Sequence, residues 1–182
     1  MFGKRREDPQ FDVIGQLRTL RRYALTLTRN EHDAEDLVQD ALVRAYAKRS
    51  QYDTGRELRS WLLAILHNAY VDKLRSVTAD RRRAEEAASL AEFEVGPSQE
   101  HAAQLTGVLE AVKRLPEDQR AALHLVAIEG LSYADASAVL DVPLGTLMSR
   151  IGRARETLRR IEGGESARLG RLRLVGGSDE LG

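Results

Sequence analysis

Apolar residues recur at three- and four-residue steps through most of this chain, a spacing that leads to a set of packed amphipathic helices. Phe11, Ile14, Leu17, Leu20, Ala24 and Leu27 form the first stripe behind Pro9, and Asn30 is placed to end it. From Ala34 a second stripe runs through Leu37/Val38, Ala41/Leu42 and Ala45/Tyr46, which leaves Asp36, Gln39, Asp40 and Arg44 pointing away from it. Tyr52-Asp-Thr-Gly-Arg56 then supplies turn chemistry. A third helix is expected to open at Ser60, a candidate N-cap, and to bury Trp61/Leu62, Ile65/Leu66 and Ala69/Tyr70 while Asn68, Asp72 and Arg75 lie on its other side. Three helices with short connections and matching stripes predict one compact unit over residues 10–76, the third helix ending near Arg75.

The pattern then changes. Residues 77–104 contain Arg81-Arg-Arg83, an Ala- and Glu-rich run and a Gly96-Pro97 break, and read as an acidic linker. Helical spacing resumes with Leu105, Val108, Leu109, Val112 and Leu115, stopped by Pro116. A helix around Ala121, Ala122, Leu125, Val126 and Ile128 should close at Gly130 in the left-handed conformation. Ser132 should cap a short helix interrupted at Asp141-Val-Pro143, and a longer basic helix is expected over about 144–160. This second unit spans 105–162; the Gly-rich tail, 163–182, is expected to lack structure. Aromatic residues make up only 5% of the chain, so strand-favouring residues are scarce and the expected fold class is all-α, two small helical domains joined by a linker.

Net charge is +0, which argues against a general affinity for nucleic acid, yet the charges are segregated. Between Met148 and Arg173 stand eight Arg (150, 153, 155, 159, 160, 168, 171 and 173) against Glu156, Glu162 and Glu165. Between Glu31 and Asp40 there are five acids (31, 33, 35, 36 and 40) and no Lys or Arg. Two such patches fit two partners, one polyanionic and one basic, or two solvated helix faces. Cysteine is absent, so disulfides and thiolate metal sites are excluded. The basic start lacks an apolar stretch behind it, and no run approaches the ~18 apolar residues of a membrane span, so the expected location is the cytoplasm, with no membrane partner.

Two helices joined by a three-residue turn, the second rich in Arg, have the form of a helix-turn-helix, whose second helix enters the major groove. Ala136, Leu140, Val142 and Leu147 would make its inner seam, with Ser137 where the helices approach. The exposed early residues of the second helix are then Thr146, Met148, Ser149, Arg150 and Arg153, positioned for base edges and phosphates. An ordinary helical hairpin with a solvated basic face is the competing reading, and the Arg cluster favours DNA.

Three segments, Ala34-Glu-Asp-Leu-Val-Gln-Asp-Ala-Leu-Val-Arg-Ala-Tyr46, Arg59-Ser-Trp-Leu-Leu-Ala-Ile-Leu-His-Asn-Ala-Tyr-Val-Asp-Lys-Leu-Arg75 and Val142-Pro-Leu-Gly-Thr-Leu-Met-Ser-Arg-Ile-Gly-Arg-Ala-Arg155, resemble the extracytoplasmic-function (ECF) sigma factors, in the family's order. The resemblance implies an RNA polymerase specificity subunit. Asp36, Gln39 and Asp40 would face the coiled coil of the polymerase β′ subunit. Tyr52, Arg56, Arg59, Trp61, Asn68, Asp72 and Arg75 would melt and read the −10 promoter element, capturing an unstacked base, which can be read on its pairing edge only once extruded. Thr146, Met148, Ser149, Arg150 and Arg153 would bind the −35 element as duplex. Departures fall at Met148, where many members carry Arg, at Gly152, where an aromatic is usual, and at Ser137 and Asp141, where Ala and Gly are usual. Leu17-Arg-Thr-Leu-Arg-Arg-Tyr-Ala24 is most similar to the EcfG general-stress group, which implies sequestration by a NepR-type anti-sigma factor.

Rival classes explain less. The four His (32, 67, 101 and 124) are scattered, without i, i+4 pairing, and read as surface or satisfied core residues; no metal, cofactor, small-molecule substrate or catalytic residue is expected. Asp36 and Asp40, one turn apart, imitate a carboxylate pair but have no base or oxyanion donor nearby. A sigma-like decoy that binds an anti-sigma factor would carry a receiver domain, and no βα alternation follows Arg160. A free-standing helix-turn-helix regulator leaves Trp61, Asn68 and the acidic helix without a role.

Overall fold

The computed structural model describes residues 11–55, 57–87 and 111–172, with side chains over 11–55, 57–78 and 111–161. Arg56, residues 88–110 and 173–182, and with them most of the expected linker, lie outside this description. No strand occurs among the described residues.

A 3₁₀ turn, Ile14–Gln16, leads into α1, Leu17–Thr28. Arg29, in the left-handed conformation at φ 58°, ends α1, so Asn30 does not stop that helix as its position suggested. Its side chain instead accepts the backbone N–H of Asp33 at 3.1 Å and caps α2, Glu31–Ala47. A further 3₁₀ turn, Arg49–Gln51, precedes the loop to α3, Leu58–Ala87. Ser60 is not the cap expected: the helix already runs from Leu58, and the Ser60 hydroxyl donates to Glu57 at 3.3 Å. Nor does α3 stop near Arg75, because the following Ala, Arg and Glu residues are strong helix formers with no Gly or Pro among them. Leu20, Tyr23, Ala24 and Leu27 of α1 pack with Leu37, Val38, Ala41 and Ala45 of α2 and Leu62, Leu63, Leu66 and Ala69 of α3. Each Leu so buried stabilises the unit by about 1.5–3 kcal/mol.

In the second half, α4, Glu117–Leu123, starts behind Pro116 and continues as a π-helical turn, His124–Ile128, which Gly130 closes at φ +67° as expected. Ser132 accepts the Asp135 N–H at 3.0 Å and caps α5, Tyr133–Val139. Asp141 then takes φ 50°, the left-handed turn between α5 and α6, Leu144–Leu172. That conformation accounts for the Gly found at this position in the resemblance. Ala136, Leu140 and Leu147 are buried and Val142 packs beside them, so the helix-turn-helix seam forms from the residues anticipated. The tail is corrected in part: α6 continues through residues 163–172, where Glu165, Ala167, Arg168 and Leu169 outweigh the glycines.

The two halves meet along a seam. Arg120, His124 and Glu129 are the buried charged or polar residues among those described, on α4, on its π turn and at the cap that follows the turn. Arg120 donates to the carbonyls of Thr26 (2.6 Å) and Leu27 (3.3 Å) at the end of α1, and to Leu115 O at 2.9 Å. These are carbonyls a helix end leaves without partners. Glu129 receives a two-pronged bond from Arg22, both arms at 2.9 Å, and one from His124 Nε2 at 3.0 Å. Burial lowers the His124 pKa, which keeps the ring neutral. With its proton on Nε2, Nδ1 accepts from the Thr26 hydroxyl at 2.8 Å. Tyr70 donates to Glu117 at 2.7 Å and adds a bond from α3.

Candidate nucleic-acid interface

The α2 face opposite the core is exposed at Asp36, Gln39 and Asp40, together with Glu31 and Glu35, and Asp33 is partly buried; Glu31 and Asp33 stand in the first turn, where the helix dipole favours them. Asp40 is paired with Arg44 at 3.0 Å, and the same guanidinium reaches Asp72 on α3 at 2.6 Å. That joint pairing raises the Arg44 pKa and ties the acidic face of α2 to the exposed face of α3. The sequence marks Arg44 only as solvent-facing; its bridging role needs the two helices side by side.

Asn68, Asp72 and Arg75, spaced by four and three residues, are all exposed on one face of α3. Behind them His67 Nδ1 lies 3.1 Å from the Tyr23 hydroxyl, and burial with a contribution from the Arg150 charge lowers its pKa to about 4. His67 and His124 are thus satisfied core histidines, His32 is exposed on the surface, and His101 lies outside the described residues. The loop before α3 turns locally, with Gly55 N donating to Asp53 Oδ1 at 2.9 Å. Its ends are held by aromatic contacts: Tyr52 and Trp61 have centroids 5.2 Å apart, and both pack against Phe11. Arg59 pairs with Glu57 at 3.2 Å, and its Nε is buried without a hydrogen-bond partner among the described residues.

At the start of α6, Thr146, Met148, Ser149 and Arg153 are exposed. Arg150 differs: it is half-buried and held by Asp118 of α4 at 3.3 Å. Asp118, Gly145, Thr146, Ser149, Arg150 and Arg153 line an open hollow of about 460 Å³. Asp118 carried no signal in the sequence, because its pairing joins residues far apart in the chain. No group of His, Cys, Asp or Glu among the described residues is arranged to hold a metal ion.

Comparison with known proteins places both halves of the chain in one family. Residues 14–80 fit the model of Sigma-70 region 2, and residues 105–158 fit Sigma-70, region 4. The chain is 38% identical to the ECF RNA polymerase sigma factor EcfG of Rhodopseudomonas palustris, over 81% of each protein. The chain belongs to the ECF sigma factors. It is also 37% identical to SigM of Mycobacterium tuberculosis, over 80% of this chain and 72% of that one. A solved relative, the sigma factor RpoE of Bartonella quintana in complex with the anti-sigma factor NepR, matches at a TM-score of 0.66 and 32% identity, over 82% of this chain and 93% of that one. As a sigma factor, the protein binds core RNA polymerase and directs promoter-specific initiation. No described helix is long and apolar enough to cross a membrane.

Proposed function

We propose that this sigma factor divides promoter reading between its two helical units, 10–76 and 105–162. The acidic face at Asp36, Gln39 and Asp40 docks on the basic coiled coil of polymerase β′. Tyr52, Arg56, Arg59, Trp61, Asn68, Asp72 and Arg75 capture the −10 element as single strand. Thr146, Met148, Ser149, Arg150 and Arg153 read the −35 element in the major groove. The observation that carries this reading is the exposure of Thr146, Met148, Ser149 and Arg153 together at the N-terminal end of the second helix of a helix-turn-helix. The protein itself supplies binding and positioning, with no catalytic residue and no cofactor, and works in the cytoplasm.

The free arrangement does not fit both elements at once. Positions −35 and −10 lie about 25 base pairs apart, about 85 Å along B-form DNA. In the structure α3, which carries Asn68, packs directly against α5 of the helix-turn-helix. The seam therefore opens when core polymerase places the two units on one promoter. The likeness to EcfG and to the NepR-bound RpoE supports a role in stress response with sequestration by a NepR-type anti-sigma factor.

Run-off transcription with purified core polymerase tests the reading. Specific starts should appear only with this protein, Asn68→Ala should lower initiation from the wild-type promoter while leaving −10 mutants little changed, and Arg150→Ala should flatten discrimination at −35 by about 1–3 kcal/mol. Discrimination unchanged by both substitutions would refute the division of labour.

A further inference from the structure

Phe11 precedes α1 and is buried, 9% exposed, by partners that are not on its own helix. Its ring meets Tyr46 at the end of α2 (5.8 Å, edge-on at 70°), Tyr52 at the start of the loop (5.8 Å) and Trp61 at the start of α3 (6.0 Å, edge-on at 63°). The Arg49 guanidinium sits 5.0 Å from the ring centroid on its face. Edge-on rings and a cation over a face are the favoured geometries for such contacts. One side chain thus joins the last turn of α2, the 3₁₀ turn and both anchors of the loop.

Between those anchors the described loop residues Asp53, Thr54, Gly55 and Glu57 are exposed, with Gly55 N donating to Asp53 and the Ser60 hydroxyl to Glu57. Tyr52 and Trp61 tie the two ends of this segment to Phe11. A loop that binds an extruded base gains affinity when its bound shape is already ordered, because the ordering cost is met during folding rather than at the encounter.

We infer that Phe11 is a positioning residue for −10 recognition: it braces Tyr52 and Trp61 so that the loop presents a fixed cradle to single-stranded DNA. This rests on the reading of residues 52–60 as the −10 contact. Phe11→Leu keeps an apolar side chain in the site but removes the ring edges and the face under Arg49, whereas Phe11→Tyr keeps both.

The test uses holoenzyme assembled from the full chain and core polymerase. Single-stranded DNA with six randomised positions is selected on the wild-type holoenzyme, and the enriched sequence and a scrambled control are then compared by fluorescence anisotropy. Phe11→Leu should lower the ratio of the two affinities about tenfold, with binding to core polymerase retained, and Phe11→Tyr should restore it. Trp61→Ala and Asn68→Ala should lower the ratio as well. An unchanged ratio in Phe11→Leu beside a reduced one in Trp61→Ala overturns the inference alone. Unchanged ratios in all of these variants refute the assignment of the loop itself. Equal weakening of both DNAs together with weakened core binding in Phe11→Leu assigns Phe11 to packing only and also overturns the inference.

Discussion

The interior of the α1–α3 unit and the seam where α4 meets α1 belong to one apolar cluster, which continues into Ala121, Ala122 and Leu125, but the seam adds buried charged and polar groups that the interior lacks. The interior is Leu, Ala, Val and Tyr side chains contributed by three successive helices. The seam centres on Arg120, His124 and Glu129, joined to Thr26, Leu27 and Arg22 by directed hydrogen bonds. Opening the interior would expose apolar surface at about 25 cal/mol per Å² with nothing in return. Opening the seam also exposes the apolar contacts around Ala121, Ala122 and Leu125, but part of what holds it is hydrogen bonds that water replaces, at a net loss of about 0.5–1.5 kcal/mol per bond and somewhat more for the charged groups. A boundary of the second kind holds two units together in the free chain and releases them when a partner supplies better contacts, whereas one of the first kind unfolds when it parts.

The widest separation between the two regions is expected at Leu66, fully buried in α3. Leu66→Ala should lower the unfolding free energy in urea by about 2–5 kcal/mol. A smaller loss there would mean that the core is less tightly packed than described.

Acidification should weaken the region around the seam next. Both His67 and His124 bind protons less readily in the folded chain than in water, His67 with a pKa near 4 and His124 shifted down by burial. Below pH 6.5 the unfolded or open chain therefore takes up more protons, and stability is full above that value and falls as pH drops towards about 4. His67 alone should account for about 2–3 kcal/mol across this window. His67→Phe should flatten part of the pH dependence in denaturant melts; an unaltered profile would remove His67 from the account.

Arg120→Met should come third, at about 2 kcal/mol, because it leaves the carbonyl of Thr26 without its donor and that of Leu27 with only the Tyr70 hydroxyl at 3.3 Å, while the α1–α3 core stays intact. Small-angle scattering should show a larger radius with helicity unchanged. Helicity lost together with compactness would make the seam part of one cooperative core. The smallest effect belongs to the turn of the helix-turn-helix, where Asp141→Gly should raise stability by under about 1 kcal/mol by relieving the left-handed backbone at φ 50°.

These regions were unequally legible in the sequence. Periodicity located the helices and the inner residues of the helix-turn-helix, Ala136, Leu140 and Leu147, because burial of one helix face leaves a repeating mark along the chain. It misjudged ends: Asn30 and Ser60 are both good caps in composition, and only the backbone path shows that one begins a helix and the other sits inside one. The seam left no mark. Arg120 and Thr26 are ninety-four positions apart, and a hydrogen bond between a side chain and a distant carbonyl has no period. Met148 takes its proposed role from the helix-turn-helix pattern, and Asn68 and Arg75 take theirs from the resemblance, while neither points to the pairing of Asp118 with Arg150 or of Arg44 with Asp40 and Asp72.

The seam's release is the central claim, and distance is its direct measure. Because the chain has no cysteine, thiols introduced at two exposed positions, Val77 on α3 and Glu156 on α6, can be spin-labelled uniquely. Double electron–electron resonance should give a short, single distance in the free chain and one longer by tens of ångströms in the complex with core polymerase and promoter DNA. The same short distance in a transcribing complex would contradict the account.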